Sequence, residues 1–223
     1  MPSKLITSPN VEPLSLAEAK LHLRVDTNDE DTLISSLIVS ARMAAENICR
    51  RALVTQSWRV VIDQFPSPAM NIGSANWYGP QWGISPGPLT VMSPEGKTGF
   101  EIFLPMSPLV SVDSIKYIDI DGVQQTLANT EYLVDAVSEP ARITPAYGKS
   151  WPSIRNQAAA VEVSFTCGYG SASAVPEGIK AWIKIRVGSL YEFREEVAIM
   201  TRGKIDPLPF VDSLLDQYRV INF

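Results

Sequence analysis

At 223 residues, 45% of them hydrophobic and 19% charged, the chain can bury a core of its own, and its length lies between one large domain and two small ones. A formal net charge of −5 and the lack of any Lys/Arg block argue against tight adhesion to a nucleic-acid backbone, though not against DNA passing nearby. No apolar run approaches the ~20 residues that span a bilayer, and the opening MPSKLITSPN lacks a secretory hydrophobic segment, so a soluble, unexported protein with no membrane partner is expected.

Residues 1–13 hold Pro2, Pro9 and Pro13 and little periodicity, and read as an extended lead-in. Ser15 and Glu18 then form a capping box that starts a short helix over 16–23. His22 lies in it; as the only histidine it cannot belong to a multi-histidine metal site, and a structural or solvated role is expected. A long helix follows over 29–51. Leu33, Leu37, Ala41, Ala44 and Ile48 recur at helical spacing with Ile34, Ile38 and Ala45 beside them, and the segment would be roughly 35 Å long at ~1.5 Å per residue. Asn28 is the expected cap, with Asp29, Glu30 and Asp31 at the positive end of the helix dipole and Arg50 and Arg51 at the other. Val39 and Met43, four apart on the polar face, are either scattered surface residues or a contact with another subunit.

The composition of 54–63 predicts a strand. From Pro66 to Gly99 come six prolines and the aromatic cluster Trp77, Tyr78 and Trp82 with almost no charge, a stretch too long for an ordinary connection. The aromatics favour an ordered contact surface, although such side chains also stack on sugars and bases. Strands are then expected over 100–104, 111–119, 132–136, 141–144 and 161–167, with a hairpin turn at Asp121 and Gly122, giving a mainly antiparallel sheet region. Asp113, Asp119, Asp121 and Asp135 invite comparison with a catalytic carboxylate pair, but Asp119 and Asp121 flank a tight turn, where Asp is expected for backbone reasons. Cys49 and Cys167 have no close Cys or His partner, so two buried thiols are expected, with no disulfide, zinc site or cofactor.

Pro176 opens a second long helix running to about 197, with Ile179, Ile183, Val187, Leu190 and Val197 in its apolar stripe and Trp182 and Phe193 bordering it. Arg186 and Arg194 project onto or beside that stripe, either reaching out to water or pairing with a carboxylate of the core or a neighbouring subunit. The closing PLPFVDSLLDQYRVINF predicts a short helix over 209–218, with Phe210, Leu214 and Tyr218 on one face and Val220, Ile221 and Phe223 beyond. It either folds back on the core or docks on another protein.

The runs EPLSLAEAKLHLRVD, DEDTLI, LPMSPLVSVDSIKYIDIDG, ARITPAYGKSWP, VEVSFTCGYG, VPEGIKAWI, LYEFRE and LLDQYRV, in that order, resemble the head-to-tail connector (adaptor) proteins of tailed bacteriophages and prophages over most of the chain. The resemblance implies a non-enzymatic virion protein of the neck, made in the host cytoplasm. It implies an α+β fold, a helical bundle with an inserted antiparallel β-rich region: one adaptor domain over 1–223, helical core about 14–52 and 176–220, insertion about 54–170. It further implies a ring, typically dodecameric, below the portal protein. The ring extends the DNA channel, through which DNA passes without sequence-specific binding, and offers a platform for a neck, stopper or tail-completion protein. On this reading Phe210, Leu214, Leu215, Tyr218, Arg219, Val220 and Ile221 become the portal-docking candidates, and Val39, Met43, Arg186 and Arg194 the subunit contacts. The 66–99 stretch is longer than the family's usual passage there, and Trp77, Tyr78 and Trp82 are expected to touch an adjacent ring or subunit. The competing reading is a β-rich module that holds carbohydrate or a host factor through those same three aromatics.

Overall fold

In the computed structural model, residues 3–67, 99–193 and 209–220 are described, the side chains of 209 and 210 excepted. The chain divides into two compact units, one formed by 5–58, 106–110 and 166–223 and the other by 1–4, 59–105 and 111–165. Four helices lie in the first, among the described residues.

Helix α1, Leu16–Leu23, starts where the capping box places it: Glu18 N–H donates to Ser15 Oγ (3.2 Å) and Ser15 N–H donates to Glu18 Oε2 (2.9 Å). Helix α2, Asp31–Cys49, begins at Glu30, which makes no side-chain capping bond, and not at Asn28. The reason is local competition. Asn28 Oδ1 accepts instead from Lys20 Nζ (2.7 Å), which also bridges to Asp31 (2.7 Å), so the amide ties the α1 to α2 turn. The helix stops at Arg50, whose left-handed φ of 54° breaks the ladder.

The fully buried face of α2 is Ile34, Ile38, Ala41, Ala45 and Cys49, while Leu33, Leu37, Ala44 and Ile48 are half-buried. The stripe is therefore turned by about one residue from the expected one. Arg42 and Glu46, two positions a periodicity reading assigns to solvent, are buried with it. Helix α3, Glu177–Glu192, buries Ile179, Trp182, Ile183 and Val187 against α2 and is capped by Phe193; the rest of the expected helix, 194–197, lies outside the described residues. Helix α4, Pro209–Asp216, packs on α3 and α2. Each aliphatic side chain fully withdrawn from water here stabilises the unit by about 1.5–3 kcal/mol.

The strands are β1 Ser3–Thr7, β2 Gln56–Ile62, β3 Ile102–Phe103, β4 Leu109–Ile118, β5 Gln124–Thr126, β6 Tyr132–Asp135, β7 Arg142–Pro145 and β8 Val161–Cys167. A five-stranded sheet has the order β1-β2-β8-β4-β5 and a three-stranded antiparallel sheet the order β3-β7-β6. Alternation sets the faces: Val161, Val163, Phe165 and Cys167 of β8 are buried and the residues between them are half-exposed. The β4 to β5 hairpin pairs Ile118 with Gln124 around Gly122, whose φ of 87° suits only glycine without strain. Gly168 is needed for a second reason: a Cβ there would come within 2.4 Å of the Val54 carbonyl oxygen. The lead-in thus contains a strand, and the connection after Asp121 another, neither of which periodicity resolves at these lengths.

Candidate assembly surface

A buried polar network fixes the end of α2. Arg42 Nε donates to Glu12 Oε2 (2.7 Å) and Arg42 Nη1 to Glu46 Oε2 (2.6 Å). The other oxygen of Glu46 accepts from the Leu53 amide (3.0 Å) and from Gln56 Nε2 (2.6 Å). One carboxylate therefore ties α2 to the residues leading into β2, while the guanidinium ties it to the lead-in. A buried charge survives only with its remaining hydrogen-bonding capacity met, and here both oxygens are engaged. Sequence reasoning overlooked this set, although the four-residue spacing of Arg42 and Glu46 on a helix was a usable signal.

The closing segment sits on that same end. Leu215 is fully buried among Ile34, Ile38, Ile179 and Ile183 of the core cluster, and Val220 is 7% exposed. Val220 N–H donates to the Cys49 carbonyl (3.0 Å), and the Arg51 guanidinium donates to the Tyr218 carbonyl. Trp182 Nε1 donates to Asp212 Oδ1 (3.1 Å), and Tyr218 lies against Gly178, where an added Cβ would stand 3.1 Å from the phenol oxygen. Leu214 and Tyr218 are half-buried. In this conformation Leu215 and Val220 anchor the segment and are closed to any partner. Arg219 remains exposed, paired with Asp216 at 3.2 Å. Phe210 has no described side chain, and Ile221 lies outside the described residues.

Of the expected subunit contacts, Met43 is 52% exposed, Val39 is half-buried and Arg186 is exposed. Arg194 lies outside the described residues, as do Trp77, Tyr78 and Trp82. His22 is exposed beside Gly188 of α3. Both thiols are buried, and burial pushes that of Cys49 up to about 11, which keeps it protonated and unreactive.

The aspartates are turn formers. Asp119 accepts from the amides of Asp121 (3.1 Å) and Val123 (2.8 Å) and from Gln125 Nε2 (2.8 Å), the last of which does most to hold its carboxyl below the usual range. Asp135 accepts from the Ser138 hydroxyl (2.7 Å), the Ser138 and Val137 amides, and Arg142 Nε (2.9 Å); the hydroxyl is the chief cause of a carboxyl held well below its ordinary value. An open groove of about 620 Å³ runs past Phe100, Leu133, Asp135, Arg142 and Lys149. Its charges are spent within the chain, Asp135 on Arg142 and Lys149 on Glu131 (3.2 Å). Among the described residues no group of three or more His, Cys, Asp or Glu side chains is placed to hold a metal ion.

Residues 13–72 match the family described as phage gp6-like head-tail connector protein. No curated protein matches the chain. Among solved structures, a chain in the neck of an empty gene transfer agent particle, computed with C6 symmetry, is 23% identical with a TM-score of 0.71, the match covering 100% of this chain and 97% of that one. A chain of the native gene transfer agent virion (22% identical, TM-score 0.69) and one of the native particle's neck computed with C12 symmetry (22%, 0.69) match over the same shares of each chain. The resemblance read from the sequence is thus carried by a phage gp6-like head-tail connector signature over residues 13–72, set in an α+β fold that matches particle-neck chains from end to end.

Proposed function

We propose that this chain is a structural virion protein of the neck, a head-tail connector whose copies form a ring below the portal, extend the DNA channel and present a platform to the next neck or tail protein. The observation that carries this reading is the likeness of the entire fold, over 100% of this chain and 97% of the other, to a chain of a particle neck, together with the connector signature over 13–72. The chain is not an enzyme: the family it matches is one of connector proteins, and its structural relatives belong to particle necks. Neck particles treated with C6 and C12 symmetry support a closed ring, for which a dodecamer is the natural count. The arrangement is a helical bundle carrying an inserted β-rich region.

The closing segment is the portal-facing element of this reading. Leu215 and Val220 hold it in place, and Arg219 and Asp216 are what it shows outward. Met43, Val39, Arg186 and Arg194 are the proposed contacts between copies. Electron microscopy of particles that carry the chain is the test, with mass measurement of the purified protein with and without portal as its complement. Density for a ring of this fold at the head-tail junction is expected. A single copy in the neck, or none, would overturn the reading.

A further inference from the structure

The five-stranded sheet has two outer strands, β1 at one end and β5 at the other. Every residue of both is exposed. An outer strand turns a row of backbone N–H and C=O groups away from its sheet, a ready template for another strand. In β1, Leu5 and Ile6 are 37% and 47% exposed, and because successive side chains point to opposite faces, neither face of this strand is well covered by its own chain. The hairpin that leads into β5 shows the same surplus, with Ile120 68% and Val123 54% exposed.

The two edges also differ in sequence: residues 1–11 carry Lys4 and no carboxylate side chain, whereas 119–126 carry Asp119 and Asp121, with the Arg155 guanidinium against Gly122 of the same hairpin. Two different edges at opposite ends of one sheet, laid side by side, make a head-to-tail contact, which generates a ring when the rotation closes. A two-fold contact, by contrast, would set like against like.

We propose that neighbouring copies join by laying β1 of one copy beside β5 of the next, so that the five-stranded sheets run on from subunit to subunit. This rests on the ring reading above and adds a main-chain contact to the side-chain contacts between copies named there. Main-chain bonds supply the attraction, and Leu5, Ile6, Ile120 and Val123 lose their contact with water.

The test is a cysteine panel in particles that carry the chain: Lys4→Cys, Leu5→Cys or Ile6→Cys, each combined with Gln124→Cys, Gln125→Cys or Thr126→Cys. All six positions are exposed and the two natural thiols are buried, so only new contacts should oxidise. A disulfide needs Cα atoms within about 4.4–6.8 Å, the separation that paired strands provide. The expected result is a ladder of covalent multimers longer than dimers on a non-reducing gel for at least one double variant, absent from every single variant. Rings seen by microscopy in the same particles without any ladder would overturn the edge contact and leave the ring standing. Dimers from a single β1 variant, or a cross-link to a different neck protein, would overturn it too. Wild-type particles without a ring of this chain would bring down the ring reading itself, and this inference with it.

Discussion

Glu46 shows how much a single side chain can hold. Its two oxygens accept from Arg42 one turn back on α2, from Leu53 just before β2 and from Gln56 at the start of that strand, in a position 6% exposed. Removing one member of a buried ionic set strands the others. Glu46→Ala should therefore cost on the order of 3 kcal/mol, a large share of a typical domain's stability, measured by urea unfolding of the purified chain. Glu46→Gln keeps an acceptor for Leu53 and Gln56 and should cost less; equal losses for both, or a loss below about 1 kcal/mol for the alanine, would show that the network is not what holds this end. Asp135 makes a different kind of prediction. Hydrogen bonds from Ser138, then Arg142, hold its folded carboxyl below the ordinary carboxylate range, so the unfolded chain takes up the proton first. Its stabilising effect is thus fully present above that range and is lost as pH falls through it toward the depressed folded value. The thermal midpoint of Asp135→Asn should lie below that of the wild type at neutral pH, the gap starting to narrow as pH falls below about 4, where unfolded aspartates take up protons while the folded carboxylate stays ionised. A gap that stays constant over that interval would refute the assignment.

At the scale of elements, the C-terminal helix is the informative case. The spacing of Phe210, Leu214 and Tyr218 predicted a helix over 209–218, and α4 is Pro209–Asp216. Whether it folds home or reaches out was open in the sequence, because that depends on a seat made by α2 and α3, elements more than a hundred residues apart. The seat is occupied by Leu215, and Val220 closes the end of α2 over Cys49. Leu215→Ala should cost about 2–5 kcal/mol by leaving a cavity. In a Cys167→Ser background the same change should speed modification of Cys49 by a thiol reagent, since the thiol is shielded by that cover; an unchanged rate would mean the segment is not the cover. The elements most legible in the sequence were those with local signals, α1 with its capping box and β8 with strict alternation, both placed with their observed limits. What stayed hidden depends on distant partners. Strand β1 is five exposed residues in a proline-flanked lead-in, and becomes a strand only through β2; the α2 face turned because Arg42 found Glu12, thirty residues upstream.

For the molecule as a whole, the question is how a ring could surround a polyanion and let it move. The chain carries 24 Asp and Glu against 19 Lys and Arg, and a ring multiplies that imbalance around a single axis. Binding to DNA draws its free energy largely from counterions released when Lys or Arg neutralise phosphates, so an acidic subunit without a basic stripe has little with which to grip the duplex. Among the described residues, Arg42 is bonded to Glu12 and Glu46, Lys20 to Asp31, and Arg142 to Asp135, and charges already paired within the chain offer little to a phosphate. The purified protein at ~10 μM should therefore fail to retard duplex DNA even at ~0.05 M salt, where counterion release favours any basic binder most strongly. Retardation that weakens steeply with added salt would mean that several Lys or Arg side chains meet phosphate after all. The proposed channel would then be one that holds the genome by its backbone.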